Sequence, residues 1–125
     1  MYSDEWLRLG YQVRDDIVVA RDGAGTLIHY KHWVDAQGGL VGVTVSFEYA
    51  EDYHVEFTAD DWAKLLVALD SGEGPMAETA ALEGYFTTHT GMDLQRLLDT
   101  HGIRRTGISF VDWSRFGDQP RRVGT

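Results

Sequence analysis

Apolar and polar residues alternate over Leu40–Tyr49, where Val41, Val43, Val45, Phe47 and Tyr49 take every second position. Successive side chains of a strand point to opposite faces, so this run predicts a strand with one apolar face. Tyr53, Val55 and Phe57 repeat the pattern and predict another strand over Tyr53–Thr58. Thr26–Val34 and Ile17–Ala20 read as two earlier strands, separated by the turn sequence Arg21-Asp22-Gly23-Ala24-Gly25, whose glycines permit positive φ. A two-residue turn at Gln37-Gly38 would set Val34 opposite Val41, Tyr30 opposite Val45 and Ile28 opposite Phe47. A three-residue loop, Ala50-Glu51-Asp52, would set Tyr49 opposite Tyr53 and Glu48 opposite His54. A slip of one residue in either pair would turn an apolar face to water, so the register is expected to be well specified.

The period then changes. Trp62, Leu65, Leu66 and Leu69 stand at i, i+3, i+4 and i+7 behind Thr58, a good N-cap, with Gly72 beyond the end. Pro75 suits the first turn of a second helix with Leu82, Tyr85 and Phe86 inward. Thr90 and Asp93 resemble a capping box for a third helix carrying Leu94, Leu97 and Leu98 and stopped by Gly102. A short helix capped by Ser3 and closed by Gly10 opens the chain, and Ile108–Trp113 alternates as a last strand. An apolar sheet face must be covered, and the helices are the available cover. The expected fold is therefore α+β: an antiparallel β-meander of about four strands, one face covered by two or three C-terminal helices, with a late strand. Residues 1–113 form the expected domain, and 114–125, with little to bury, a flexible basic tail.

At 125 residues the chain has the usual size of one domain and can bury a core without staples. It has no cysteine, which excludes disulfides, thiolate metal sites and a cysteine nucleophile. No apolar run approaches the ~20 residues that span a bilayer. The start, Met1 to Glu5, is acidic where a signal peptide would be basic, so a cytoplasmic protein is expected.

Charge narrows the function. The formal net charge is -9, with 18 acids and 6 bases in residues 1–103 against 2 acids and 5 arginines in residues 104–125. Such a body repels nucleic acid and anionic membrane and attracts a basic protein. Ten acids lie between Glu48 and Glu83, with Lys64 the only lysine or arginine there. Net charge speaks first to solubility, but an acidic belt also imitates a phosphate backbone and can occupy a basic groove.

The expected partner-binding residues are Glu48, Glu51, Asp52, Glu56, Asp60, Asp61 and Glu73, with Trp33 on the polar sheet face either as an exposed aromatic or covered by helices or the N-terminal segment. Trp113 and Phe116 add aromatic surface at the start of the tail. The functional class this suits is a non-enzymatic acidic binding protein that inhibits or regulates a basic, nucleic-acid-binding partner. A phage anti-defence inhibitor (anti-CRISPR-like) and an immunity protein are two such roles, by analogy of charge and size. No cofactor, metal or catalytic residue is expected on this reading.

The competing reading is a small enzyme or metal-binding domain. His29, Glu48, His54 and Glu56, with Lys31, Thr44 and Ser46, should share the polar sheet face, where histidine and carboxylate can bind a metal or move protons. A solvated face with cross-strand charge pairs is the simpler account. A third possibility is oligomerisation through that face. His32 should fall on the apolar face beside Val43, so the spacing His29-x-x-His32 makes no metal pair on a strand. His89 and His101 sit near helix C-termini, where the dipole favours a cation. Phosphate-loop and nucleophile-elbow motifs are missing.

Overall fold

In the computed structural model, which describes residues 2–22, 25–48, 51–74, 76–112 and 122–123, the backbone alone is described at 20, 51–53, 107–112 and 122–123. The order is α1 (Tyr2–Arg8), β1 (Gln12–Arg21), β2 (Leu27–Val34), β3 (Leu40–Glu48), β4 (Glu51–Thr58), α2 (Ala59–Ala68), α3 (Ala77–Phe86), α4 (Gly91–His101), β5 (Thr106–Asp112) and β6 (Arg122–Val123). The strands form one antiparallel sheet in sequence order. The expected α+β meander with mainly C-terminal helices is the observed architecture.

The first two hairpins use one device, an aspartate followed three residues later by glycine. Asp22 N–H donates to the Thr26 carbonyl at 3.0 Å, Gly25 N–H to the Asp22 carbonyl at 2.9 Å and Thr26 N–H to Asp22 Oδ1 at 3.0 Å. Asp35 repeats this with Gly39 and Gly38: its N–H donates to the Gly39 carbonyl, its carbonyl accepts from Gly38 N–H, and its Oδ1 accepts from Gly39 N–H at 2.9 Å. Gly25 and Gly38 have φ of 86° and 81°, which a Cβ would oppose. The aspartate side chain replaces a ladder partner, and glycine supplies the left-handed residue of a three-residue hairpin loop.

The loop at Asp35 corrects one expected pairing. Val34 lies opposite Leu40, not Val41, because a register shift separates Trp33 from Val34. Below it the register is as read: Tyr30 faces Val45, Ile28 faces Phe47 and Trp33 faces Gly42. In the next hairpin Tyr53 faces Phe47 instead of Tyr49, and His54 faces Ser46 instead of Glu48. That error is a slip of two residues, which leaves every side chain on its own face, so alternation cannot detect it.

Val43, Val45 and Phe47 with Val55 and Phe57 form the core face, joined by Ile28 and Tyr30. Trp62 and Leu65 of α2, Leu82 and Phe86 of α3, and Leu94 and Leu98 of α4 close over it. Trp62 packs against both Tyr30 and Phe57, with ring centroids 5.7 and 5.6 Å apart. Thr58 caps α2, and the Thr90–Asp93 capping box starts α4. Gly102, at φ 63°, ends α4 in the left-handed conformation. Asp70, at φ 56°, takes that conformation after α2, and Gly72 lies beyond the end as read.

The opposite face is not left wet. α1 begins at Tyr2, so Ser3 lies inside it and is not its cap. The Ser3 N–H instead donates to Glu56 Oε1 at 3.0 Å, which fastens α1 to the sheet. Trp6 then lies over Gly42 and beside Trp33, its ring 5.5 Å from the Trp33 ring. A Cβ at Gly42 would stand 2.3 Å from Trp6 Cη2, so only glycine admits this approach.

The expected tail falls partly outside the described residues, as do Pro75, Trp113 and Phe116. Arg122–Val123 pairs with Val111 and Phe110 at the edge of the sheet.

Candidate functional site

The acidic stretch divides between two environments. Asp60 stands exposed at the start of α2, Asp70 and Glu73 follow its end, and Glu83 lies on the outside of α3. Among the described residues these four have no cation within 4 Å. Helical rise separates Asp60 from Asp70 by roughly 15 Å, so the four spread over a broad surface instead of crowding one point. Glu48 is also exposed but sits at the end of β3, on the other side of the sheet. The side chains of Glu51 and Asp52 lie outside the description.

Three expected contact residues are buried. Glu56 is 1% exposed, and besides Ser3 N–H it accepts from the Thr44 hydroxyl at 3.2 Å. Asp61 is 1% exposed, accepting from the Thr58 hydroxyl at 2.9 Å. Trp33 lies under α1, and its indole N–H donates to Thr44 Oγ1 at 3.0 Å. Glu56 and Trp33 have their polar atoms committed within the fold, and Asp61, whose Oδ1 makes no hydrogen bond among the described residues, is too deeply buried to serve as accessible contact surface. The sequence predicts the α1 helix without fixing where it docks, so exposure of Glu56 and Trp33 was overestimated, whereas Asp61 is buried where its carboxylate accepts from the Thr58 cap of α2.

The histidines and carboxylates expected to share one cluster are distributed among separate contacts. His29 Nδ1 pairs with Asp16 Oδ1 at 3.0 Å, and its Nε2 lies 3.2 Å from Glu48 Oε1 without a well-aligned hydrogen bond. His54 Nδ1 pairs with the Ser46 hydroxyl at 2.8 Å. Burial and then the nearby Lys31 lower the His54 pKa. Glu56 is taken up by α1 and Thr44. Among the described residues no three histidine or carboxylate groups converge where one metal ion could be held.

A second histidine site arises on the helix-covered face. His32 lies opposite Val43, as its register requires, and its Nε2 meets Glu78 Oε1 of α3 at 2.6 Å. Its Nδ1 is 3.5 Å from Asp15 Oδ2. Asp15 is the extra residue of a bulge in β1, at φ 61°, between the pairs Arg14–His32 and Asp16–Lys31. The bulge sends Asp15 toward His32 and Asp16 toward His29, so adjacent acids serve histidines on opposite faces. The sequence carried a trace of this, since Asp15-Asp16 interrupts the alternation between Val13 and Ile17.

The hydrogen bond to Glu78 raises the His32 pKa above 6.5, outweighing burial. Burial pushes the Glu78 carboxyl up, but the bond from His32 and the nearby Trp62 and Tyr30 groups bring it below 4.5. The Trp62 N–H helps electrostatically although it makes no hydrogen bond of good geometry. Tyr30, pushed up to about 12 chiefly by burial, pairs with the Thr79 hydroxyl at 2.8 Å. This group ties β1 and β2 to α3, and its polar atoms are turned toward one another.

The linkage has a definite sign. Because the folded His32 pKa is raised, its stabilisation is full below pH 6.5 and is lost as pH rises through the elevated value. The lowered Glu78 value contributes above pH 4.5 and is lost as pH falls through it. Urea unfolding of wild type and His32→Asn should differ most between about pH 5 and 6.5, with the gap shrinking toward alkaline pH. A gap that is constant or widens with pH would contradict the assignment.

No family model, curated protein or solved structure matches the chain. Function must therefore be argued from the surface and its chemistry.

Proposed function

We propose that this chain is a non-enzymatic acidic binding protein that occupies and blocks a basic, nucleic-acid-binding partner protein in the cytoplasm. The observation that carries the reading is the exposed set Asp60, Asp70, Glu73 and Glu83, uncompensated among the described residues, on the helical layer of a protein with net charge -9. Carboxylates without internal partners remain available to lysine and arginine on another surface. Their spread over α2, the following loop and α3 suits a protein-sized footprint, since a standard interface uses about 800 Å² per partner. Opposed potentials accelerate encounter and reject partners of the same sign. A phage inhibitor of a defence complex and an immunity protein neutralising a nuclease both answer to this chemistry.

The test is affinity capture from the lysate of the source organism at about 50 and about 500 mM salt. The expected result is a basic nucleic-acid-binding protein retained at low salt and partly released at high salt. Nucleic acid should compete for that protein, because it would occupy the same basic surface. Retention that neither salt nor nucleic acid changes would contradict the reading. The captured species also separates the two roles: a defence complex supports the inhibitor, and a nuclease toxin supports the immunity protein.

A further inference from the structure

One groove on this acidic protein has the opposite sign. It lies between the outer side of α2 and the end of α4, has a volume of about 520 Å³, and is lined by Ala63, Lys64, Val67, Ala68, His101 and Ile103. Its floor and walls are mainly aliphatic: Ile103 is buried, whereas Val67 is 80% exposed. Ala63, Lys64, Val67 and Ala68 share one side of α2 through the helical repeat. The charged side chain in the lining is a lysine, joined by the His101 imidazole, and no carboxylate lines the groove among the described residues.

Arg104 adds a further cation beside the Lys64 end. Both approach the Asp61 carboxylate, Lys64 Nζ at 3.6 Å and Arg104 Nε at 3.8 Å. Asp61 is buried, whereas the Lys64 and Arg104 side chains are 57% and 79% exposed. These separations exceed hydrogen-bond length, so both cations retain donors for another acceptor. An aliphatic floor beside loosely held cations is complementary to an aliphatic side chain flanked by carboxylates. Because Val67 stands open to solvent, an alkyl chain lying there would stay half wet, while an extended peptide could cover the groove and reach both ends.

We propose that the groove docks an acidic peptide segment of a partner protein, an aliphatic residue covering Val67 and Ile103 and carboxylates meeting Lys64, His101 and Arg104. Asp70, Glu73 and Glu83 of the proposed inhibitory surface are outside the lining, and Asp60 borders it one turn before Lys64.

Fluorescence anisotropy with a labelled synthetic peptide, Glu-Asp-Leu-Glu-Asp-Ile-Asp, tests the proposal directly. Saturable binding is expected, weakened about tenfold or more by Val67→Asp, Lys64→Glu or Arg104→Glu. Val67 is exposed, so Val67→Asp should melt like wild type, and a melting curve controls for the lost contacts to the buried Asp61 in Lys64→Glu and Arg104→Glu. Replacing the peptide's leucine and isoleucine by serine, or its acids by amides, should weaken binding to a similar extent. Glu73→Lys with Glu83→Lys, at positions outside the groove lining, should leave it intact, which separates this site from the inhibitory surface. No saturable binding below about 1 mM, or equal binding by folded wild type and all three groove variants, would overturn the proposal. So would sedimentation showing that wild type self-associates and Val67→Asp does not, because the groove would then belong to a second copy.

Discussion

Trp62→Ala is expected to lower stability by about 3–5 kcal/mol. Trp62 is 1% exposed and contacts Tyr30 and Phe57, so its ring joins α2 to both β2 and β4. Alanine removes the largest fully buried side chain among the described residues and leaves a cavity where three elements meet. For a domain of this size, the expected drop in Tm is about 10–20 °C. Thermal unfolding followed by circular dichroism checks it, and an unchanged midpoint would show that α2 does not close the core in this way.

Glu56→Ala should have the next largest effect, about 2–4 kcal/mol, because each buried polar group left without its partner costs about 1–3 kcal/mol. Removal leaves the Ser3 N–H without its acceptor and the Thr44 hydroxyl without the oxygen to which it donates. The loss should also loosen α1, because Glu56 holds the helix that places Trp6 over Gly42 and Trp33. Glu56→Gln keeps the shape and one acceptor oxygen, so it should fall between wild type and alanine. Tryptophan fluorescence during urea unfolding distinguishes this from a general loss of stability. Glu56→Ala should move indole emission toward longer wavelength before the main transition, whereas Trp62→Ala should leave that region native-like until global unfolding. Identical native emission in wild type and Glu56→Ala would contradict the fastening role.

The two helix caps and the core faces were legible because each depends on local rules. Thr58 and the Thr90–Asp93 pair needed only their spacing, and Val43, Val45 and Phe47 needed only alternation. The β3–β4 register was less accessible, since slipping Tyr53 from Tyr49 to Phe47 preserves both faces. The β1 bulge was hidden for a related reason: an extra residue changes which face an aspartate occupies while leaving composition untouched. The docking of α1, whose existence the sequence did show, was the costliest omission for function. A seven-residue helix shows little periodicity, and its docking depends on Glu56, more than 50 positions away in the chain. Once Trp6 covers Trp33, the presumed open face ceases to be a surface, and Trp33 and Glu56 become supports of the fold. The exposed acids Asp60 and Glu73 were readable because helix starts and loops between helices face solvent.

The central claim is that the exposed acids of the helical layer recognise a basic partner. Association kinetics of the captured partner with wild type and with Asp60→Lys, Asp70→Lys, Glu73→Lys and Glu83→Lys, singly and combined, test it most directly. These positions carry no ion pair among the described residues, so reversal should leave the fold intact apart from a small helix-start effect at Asp60. A melting curve for each variant controls for that effect. The account predicts that the combined variant associates at least about tenfold more slowly at low salt, with a smaller change in dissociation, and that the difference narrows as salt rises. A folded combined variant with the wild-type association rate at low salt would contradict it.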